Sequence, residues 1–326
     1  MLNRRHLLGL AAAGALAKPS LSLAQGAWPN RSIRLVAQFP PGGLVDTVAR
    51  LMAPQFAAAL GQSVVVENRA GAGGLIGTDV VAKAPADGYT LLVSHASVHV
   101  YAAATRATMP FDPIGDFTHM VQLVEAPNII LVRANSPFQT LDQLVTAART
   151  RPVRYGSSGI GSAPHLLGAM LSAEARAPNL DHIPYAGSAP AMQDLLAGNI
   201  ESMVDPITTN VQQMRDGSLR ALAVSSPQRL AAFPNVPTFA ELGYAKLTSA
   251  QWLGLSAPKG LPAPMVERLT ALAPQILARP ELMARFTDIQ TVPRNPPPTG
   301  AAFVQIMREE ITAWTAVARQ FNITVS

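Results

Sequence analysis

Three stretches of this 326-residue chain have residue types suited to binding a small anion. In each, an apolar run typical of a strand passes into a short loop rich in Gly, Ser or Pro, and a helix is predicted to begin after it. The start of a helix has unpaired backbone N–H groups and the positive end of the helix dipole. Glycines let the backbone approach a ligand, and Ser hydroxyls add hydrogen bonds. These stretches, at 33–43, 154–162 and 183–188, indicate a protein that holds a small anion between several loops.

The elements that must position these loops alternate along the chain. Short apolar runs separated by helical segments, at 33–94 and again at 128–225, are typical of βαβ units and predict an α/β fold. Among these helical segments, we expect helices at about 44–60 and at 188–197. Residues 251–256 form one further strand, followed by mainly helical sequence, which is too little for an independent domain. We therefore expect two lobes, with 25–126 and 250–326 in lobe 1 and 127–249 in lobe 2.

The first 24 residues have the features of a signal peptide. Arg4 and Arg5 form a basic region, residues 7–16 are apolar, and residues 22–24 form a small-residue cleavage site. The apolar stretch is shorter than the roughly 20 residues that a spanning helix needs. We expect export to the periplasm with cleavage near Ala24. An uncleaved membrane anchor is the alternative, and the adjacent arginines leave the general and twin-arginine export routes open.

Composition excludes several classes of function. The formal net charge is +5, of which Arg4, Arg5 and Lys18 contribute three, so the rest of the chain carries about +2. Its cations are scattered and form no basic tract, which argues against a nucleic-acid partner. The sequence has no Cys, and this excludes disulfides, thiolate metal sites and a Cys nucleophile. His95 and His99 are four residues apart but have no third ligand nearby in sequence, so we expect no metal.

Motifs for enzymes are incomplete. The glycines at 71–77 would need a Gly at 76 to bind a dinucleotide, but that residue is Ile, and we expect no cofactor. A nucleophile elbow centred on Ser158 would need Gly in place of Ile160. A secreted serine hydrolase that uses Ser158 and His165 is the alternative function, although His165 has no evident acidic partner. A structural scaffold is a third possibility.

Nine motifs, in order along the chain, resemble the Bug family of extracytoplasmic substrate receptors, which are related to tripartite tricarboxylate transporters. Together they cover essentially the whole chain after the signal segment. They are WPNRSIRLV at 28–36, FPPGG at 39–43, VENRAGAGG at 66–74, ADGYTLL at 86–92, YGSSGIGS at 155–162, PYAG at 184–187, DLLAG at 194–198, PNVPT at 234–238 and WLGL at 252–255.

This resemblance implies a periplasmic binding protein of type II. Such a protein has two lobes, each a mostly parallel sheet flanked by helices, which close on a ligand like a flytrap. It implies a receptor for a small carboxylate (a dicarboxylate, an amino acid or an aromatic acid) rather than an enzyme. The implied partner is the membrane component of a tripartite tricarboxylate transporter, and we expect the receptor to be a monomer.

The resemblance also implies which residues bind the ligand. The first Gly-Gly loop, here 39–46, and the Gly/Ser loop, here 156–162, would hold the ligand carboxylate. The loop after the third strand, at 94–97, and the turn at Tyr185 would line the remaining walls, and Asp205 would lie near the cleft. His95 and His99 depart from the family pattern, so the resemblance does not indicate which chemical group the ligand carries at its distal end. The predicted ligand-binding residues are Phe39, Pro41, Gly42, Gly43, Asp46, Ser94, His95, Ser157, Ser158, Gly161, Ser162, His165, Tyr185, Ala186, Gly187 and Asp205.

Several of these residues also fit purely structural roles. Asp46 can form an ion pair with Arg50 one helical turn later, and Ser162 can cap a helix. Asp205 would favour a ligand amine or hydroxyl, or would cap the next helix. For Tyr185 and His165, packing in the protein interior is as consistent with the sequence as contact with a ligand. We expect a β-branched residue at Gly43 to weaken binding through backbone strain and blocked approach.

Overall fold

A computed structural model of the protein describes residues 28–320 and 323–324, so the predicted signal segment lies outside the described residues. The strands are β1 (Ile33–Ala37), β2 (Val64–Asn68), β3 (Thr90–His95), β4 (Phe117–Arg133), β5 (Val153–Ser157), β6 (Leu180–Pro184), β7 (Ser202–Pro206), β8 (Leu219–Val224), β9 (Ala250–Pro258) and β10 (Val292–Pro293). The α-helices are α1 (Leu44–Leu60), α2 (Leu75–Ala82), α3 (Ala103–Thr105), α4 (Leu141–Thr150), α5 (Ala163–Glu174), α6 (Ser188–Ala197), α7 (Val211–Arg215), α8 (Ala263–Leu277), α9 (Pro280–Asp288) and α10 (Gly300–Gln320). Within these ranges no helix is long and apolar enough to cross a membrane.

The strands follow the order β2-β1-β3-β9-β4-β7-β5-β6, and β8 and β10 also pair with β4. Strands joined by helical crossovers are parallel: β1 pairs with β2 and β3, and β5 pairs with β6 and β7. The predicted α/β architecture is therefore confirmed. The pairs made by β4 and β9 are antiparallel, which the strand–helix alternation did not predict.

One long strand, β4, connects the halves of the molecule. β4 is 17 residues long, and its first part, up to Pro127, pairs with β9. From Asn128 onward it pairs with β7 and β8 instead. We call the half built on β1–β3, β9 and β10 the first lobe, and the half built on β5–β8 the second lobe. The partners of β4 change at Pro127–Asn128, where the two lobes meet.

Apolar packing follows the same division. One cluster packs β1, β3 and β9 against α1, α8 and α9, and two smaller clusters lie within the second lobe. A fourth cluster joins both lobes, since Phe303 and Met307 of α10 pack with Trp252 of β9 and Leu166 of α5. Further along α10, Trp314 also packs against the second lobe. The C-terminal helix therefore contacts both lobes.

Helix α1 begins directly after the predicted anion loop at 39–43, and its bounds are those that the sequence predicts. Its buried residues, among them Val48, Met52 and Phe56, recur at helical spacing and face the core of the first lobe. Gly61 ends the helix in the left-handed conformation (φ 73°), and its N–H donates to the Ala57 carbonyl at 2.9 Å. Packing of this apolar face against the core fixes the direction in which the N-terminus of α1 points.

The segment after β3 is not the loop that the sequence predicts. β3 extends to His95, and Ser97–Ala102 forms a π-helical turn that continues into α3. Val98 and Val100 of this turn are fully buried, and the segment has no Gly or Pro to mark where the strand ends. Apolar burial therefore keeps the chain regular where the prediction places a loop.

Five histidines of the described chain are buried or half-buried. Loss of hydration in these positions disfavours the charged imidazolium and lowers each pKa. The shift brings the pKa to about 3 for His95, His119 and His182, and to about 4 for His99 and His165.

We expect the free energy of unfolding to fall as the pH is lowered from about 6.5, the ordinary pKa of His, toward about 4. In this window the unfolded chain binds more protons than the folded chain, because only the unfolded histidines are protonated. Burial raises the pKa of Asp205 to about 6 and that of Glu310 to about 7, which acts in the opposite direction but involves only two groups. Urea unfolding at pH 7 and pH 4.5 measures the effect, and equal stability at both values would contradict it.

Candidate functional site

A small inner chamber lies between the two lobes, with a volume of about 30 Å³. This is room for about two or three water molecules. Its walls come from the start of α1, the end of β3, the start of α6 and the start of β9. The lining residues are Phe39, Pro40, Pro41, Gly43, Leu44, Val45, His95, Ser158, Ser188, Ala189, Pro206 and Gln251.

A larger outer chamber of about 490 Å³ adjoins it. Phe39, Pro40 and Ser158 line both chambers, so these residues form the boundary between them. The outer chamber is also lined by residues 70–74, by Arg106, Gly159 and Ile160, and by Pro184, Tyr185 and Ala186.

Small residues bring the lobes into contact around these chambers. A side-chain carbon at Gly73 would lie 2.8 Å from the Ile160 carbonyl oxygen in the other lobe. A carbon at Gly187 would lie 3.0 Å from Cγ of Pro40. Larger side chains at either glycine would therefore hold the lobes apart.

The start of α1 forms one wall of the inner chamber. Gly42 adopts a left-handed conformation (φ 82°), and its N–H donates to Oδ2 of Asp46 at 2.9 Å. Gly43 is the N-cap residue, with extended backbone (φ −79°), and no side chain caps the helix. The backbone strain predicted for substitutions at Gly43 is therefore wrong, because the strained conformation belongs to Gly42. The predicted blocked approach remains, since Gly43 lines the chamber.

Asp46 is buried and holds the loop before α1 in place. The predicted ion pair is present, with Arg50 Nε 2.9 Å from Asp46 Oδ1, and Asn68 Nδ2 donates to the same oxygen at 2.9 Å. Burial alone would raise the pKa of Asp46, but hydrogen bonds from Arg50, Gly42 and Asn68 hold it below its usual range. Asp46 and Arg50 do not line either chamber, so their position is structural.

The start of α6 forms the facing wall. Gly187 is its N-cap residue at φ 128°, and again no side chain caps the helix. Ser188 lines the inner chamber, and its hydroxyl donates to Oδ1 of Asp205 at 2.7 Å. Helices α1 and α6 thus present uncapped starts to the same small space.

Asp205 lies behind this wall rather than in the chamber. It is fully buried and also accepts hydrogen bonds from Thr209 and from Asn210, the latter at 2.8 Å. Burial raises the pKa of Asp205 to about 6, although these hydrogen bonds oppose the shift. The contacts tie the start of α6 to the turn that precedes α7.

The start of α5 differs from those of α1 and α6, because side chains of the protein itself form hydrogen bonds with its backbone N–H groups. The Ser162 hydroxyl accepts the His165 N–H at 3.3 Å and donates to the Gly159 carbonyl at 2.7 Å. The Ala163 N–H donates to Ser97 Oγ of the first lobe at 3.1 Å. Of the predicted Gly/Ser loop, Ser158 lines both chambers and Gly159 and Ile160 line the outer one; Ser157, Gly161 and Ser162 line neither.

Two histidines support this loop from behind. The Gly161 N–H donates to Nδ1 of His165 at 3.1 Å, and Nε2 of His182 lies 2.6 Å from Ser157 Oγ. The two imidazole rings stack with centroids 3.9 Å apart. His165 therefore contacts the loop backbone and not the chambers.

His95 has an unusual environment. Its side chain is only 4% exposed and lines the inner chamber, and within the described chain neither ring nitrogen has a hydrogen-bond partner. Burial lowers its pKa to about 3, although the nearby Gln251 side chain opposes the shift, so the ring is neutral at physiological pH. The neighbouring Ser94 points elsewhere, because its hydroxyl accepts from Ser256 Oγ at 2.8 Å and it lines neither chamber.

Tyr185 and Ala186, predicted to form a further wall, line the outer chamber, and the Tyr185 hydroxyl donates to Asp194 Oδ2 at 2.7 Å. Ser188 of the inner chamber lies in the predicted anion-holding stretch at 183–188 but is not among the predicted ligand-binding residues, and Gln251 was not predicted. Ser188 directly follows a predicted loop glycine and could have been found as the first residue of a helix. Gln251 has no local signal, because it reaches the site through the antiparallel pairing of β9.

The chemistry available here is that of anion binding by backbone groups. Of the residues that the structure describes, no Lys, Arg, Asp or Glu lines the inner chamber. Among residues 28–320 and 323–324, no group of three His, Cys, Asp or Glu side chains could hold a metal ion. The hydrogen bonds of the described chain do not join Ser158 to His165, as the hydrolase alternative requires; His165 Nδ1 instead accepts from Gly161.

Comparison with known proteins gives a family match over most of the chain. The sequence profile of the tripartite tricarboxylate transporter family receptor matches residues 48–323. Protein BugT of Bordetella pertussis is 34% identical over 296 residues, which is 90% of this chain and 90% of that protein.

Solved structures agree with this match. The periplasmic binding protein BugD superposes with a TM-score of 0.87 at 33% identity, covering 91% of this chain and 99% of BugD. MatC from Rhodopseudomonas palustris, solved with bound malate, superposes with a TM-score of 0.84 at 32% identity, covering 89% of this chain and 99% of MatC.

The two glycines before α1 should respond differently to a methyl group. We expect Gly42→Ala to destabilise the protein by about 1 kcal/mol, because its left-handed backbone disfavours a side chain although the space is open. Gly43→Ala should be neutral or slightly stabilising, since its backbone is extended and the new carbon would lie 3.5 Å from the Pro40 carbonyl oxygen. Urea unfolding of both variants measures this, and equal losses would contradict the loop geometry.

Proposed function

Because this chain belongs to the tripartite tricarboxylate transporter receptor family, we propose that it binds a small carboxylate in the cleft between its two lobes. The carboxylate group would occupy the inner chamber, and the rest of the ligand would extend into the outer chamber. The malate bound by MatC, a four-carbon dicarboxylate, supports a ligand of this size class.

The observation that carries the proposal is the pair of uncapped helix starts. Helices α4 and α5 begin with Thr140 and Ser162, whose side chains accept a backbone N–H of their own helix. Helices α1 and α6 have glycine N-caps without such a bond, and both begin at the inner chamber. Their N–H groups and dipoles would favour a negative group there without any charged side chain.

The proposed binding requires the lobes to separate. The inner chamber is too small to admit a four-carbon acid from solvent while Gly73 touches the Ile160 carbonyl across the cleft. We place the lobe boundaries at 126/127 and 249/250, since β4 changes partners at Pro127–Asn128 and β9 begins at Ala250. A carboxylate that contacts α1 and α6 together would then stabilise the closed form.

His95 is proposed to recognise the bound ligand directly. A buried imidazole with two unsatisfied nitrogens costs about 1–3 kcal/mol per group, and a ligand that pairs with it recovers this energy. Since burial keeps the ring neutral, His95 would contribute a hydrogen bond rather than a charge. The bound form would thus satisfy a group that the protein alone leaves unpaired.

The physiological setting follows from the family. Its members are receptors of tripartite tricarboxylate transporters and are periplasmic binding proteins. We propose that residues 1–24 are removed near Ala24 on export, and that the closed monomer delivers its ligand to the transporter's membrane component. No chemical step on the ligand is proposed.

A thermal-shift panel of small carboxylates followed by calorimetry tests the proposed function. A ligand at a hundred times its Kd should raise the free energy of unfolding by about 2.7 kcal/mol. Gly43→Val should abolish this binding, because its two methyl groups would fill the inner chamber, while the melting temperature of the unliganded protein changes little.

Ala58→Val is the matched control, since it adds the same branched side chain to the exposed face of α1. This variant should bind like the wild type. Binding that survives Gly43→Val would show that the carboxylate lies elsewhere, and ester hydrolysis by the purified protein would support the hydrolase alternative.

His95→Phe should separate binding from stability. Phenylalanine matches the ring but removes the unpaired nitrogens, so we expect an unchanged or higher melting temperature together with a loss of affinity of about tenfold or more. Calorimetry and thermal unfolding of the same variant measure the two effects.

His119→Phe is the control for a buried histidine that is already satisfied. Its Nδ1 lies 2.8 Å from Ser256 Oγ and its Nε2 lies 3.1 Å from the Pro113 carbonyl oxygen. Its replacement should lower stability by about 1–3 kcal/mol and leave affinity unchanged. Unchanged affinity in His95→Phe would remove His95 from the binding site.

A further inference from the structure

We propose that the stacked imidazoles of His165 and His182 are positioning residues, which hold the Gly/Ser loop in its ligand-binding conformation only while His165 is neutral. This inference rests on the proposed function, because the loop that the pair supports lines the carboxylate cleft. Ser158 of this loop lines both chambers, and Gly159 and Ile160 line the outer one.

The argument begins with the bond between Gly161 and His165. A backbone N–H can only donate, so His165 Nδ1 must accept, and its proton must therefore lie on Nε2. A protonated imidazole has no acceptor nitrogen. Protonation of His165 would break the bond and place a positive charge 3.1 Å from an N–H donor.

His182 supports the other end of the same loop. Its Nε2 lies 2.6 Å from Ser157 Oγ, and this hydroxyl oxygen also accepts the Gly159 N–H at 3.2 Å. The two histidines thus determine the positions of Ser157, Gly159 and Gly161, which precede and follow Ser158. Gly159 and Gly161 have φ values of 133° and 77°, so this conformation is specific to the sequence of the loop.

The rings are also coupled to each other. Their centroids are 3.9 Å apart with an interplanar angle of 20°, so a charge on one ring opposes a charge on the other. Burial, followed by this repulsion, lowers the pKa of His182 to about 3, and burial lowers that of His165 to about 4. Acidification toward these values protonates His165 first and removes the acceptor of the Gly161 N–H, whereas Ser157 Oγ can accept from His182 in either protonation state.

Protons can reach the pair from outside the cleft. Both rings line a separate surface pocket of about 640 Å³. The other titratable side chains of that pocket are Tyr155 and Arg176. Tyr155 donates from its hydroxyl to the His165 carbonyl oxygen at 3.0 Å. Ligand affinity would therefore fall as the pH is lowered toward about 4, independently of any group that contacts the ligand.

Three substitutions test the role of the rings. His165→Asn keeps an acceptor oxygen near the position of Nδ1 but cannot be protonated, and His182→Gln does the same near Nε2. His165→Leu removes the acceptor. We expect His165→Leu to weaken malate binding by about tenfold at pH 7.5, and His165→Asn to remain within about threefold of the wild type.

The pH profile separates positioning from packing. Between pH 7.5 and pH 4, wild-type affinity for malate should fall more steeply than that of the His165→Asn, His182→Gln double variant. Both proteins share the titration of malate itself, so the difference reports the rings. Tyr155→Phe is the control, since it removes a bond to His165 without altering the ring contacts with the loop, and it should bind like the wild type.

Hydrogen exchange of the Gly161 amide in ligand-free protein gives a second readout. Its protection should decrease in His165→Leu at pH 7.5 and persist in His165→Asn. Unchanged exchange and unchanged affinity in His165→Leu would overturn the inference. If wild-type protein binds no carboxylate, the proposed function fails, and the exchange measurement, which needs no ligand, still decides the role of the rings.

Discussion

The proposed site depends on one constraint: backbone N–H groups can hold an anion without a charged side chain only where the protein itself leaves them unsatisfied. Thr140 and Ser162 cap α4 and α5, whereas α1, α2, α6, α7, α8 and α9 have no side-chain cap. Among these uncapped helices, α1 and α6 are the two that begin at the inner chamber. The surrounding contacts, such as Asp46 with the Gly42 N–H and Asp205 with Ser188, stabilise these two starts from outside the chamber.

The polar groups around the chamber divide into satisfied and unsatisfied sets. His119, Ser94 and Ser256 form a closed chain of hydrogen bonds within the first lobe. His95, one residue after Ser94, is left without a partner. The alternation of β3 explains the difference, since consecutive side chains point to opposite faces of the sheet. One face contributes to the lobe's interior, and the other meets the cleft.

Much of the fold could be predicted from the sequence, but the site only in part. The bounds of α1 and α6 are those predicted, because both have clear apolar periodicity and both end at a glycine in the left-handed conformation. β4 was predicted only from Asn128 onward, because its apolar residues do not show that one strand pairs with strands of both lobes. Gln251 and the stacking of His182 on His165 depend on contacts distant in sequence, which no local pattern contains. Of the three loops predicted to hold an anion, those at 33–43 and 183–188 precede the uncapped starts of α1 and α6, whereas the start of α5 after the loop at 154–162 is capped by Ser162.

Contact of α10 with both lobes has a consequence for the order of ligand entry. Phe303 and Met307 pack with Trp252 of β9, and Trp314 packs against the second lobe, so this helix would restrain any separation of the lobes. Gln251 at the start of β9 lines the inner chamber, whereas Gly73 and Ile160 line the outer one. If the lobes separate as proposed, the outer chamber would open more than the inner one, and solutes would then be sorted first by bulk at the entrance and afterwards by charge in the interior.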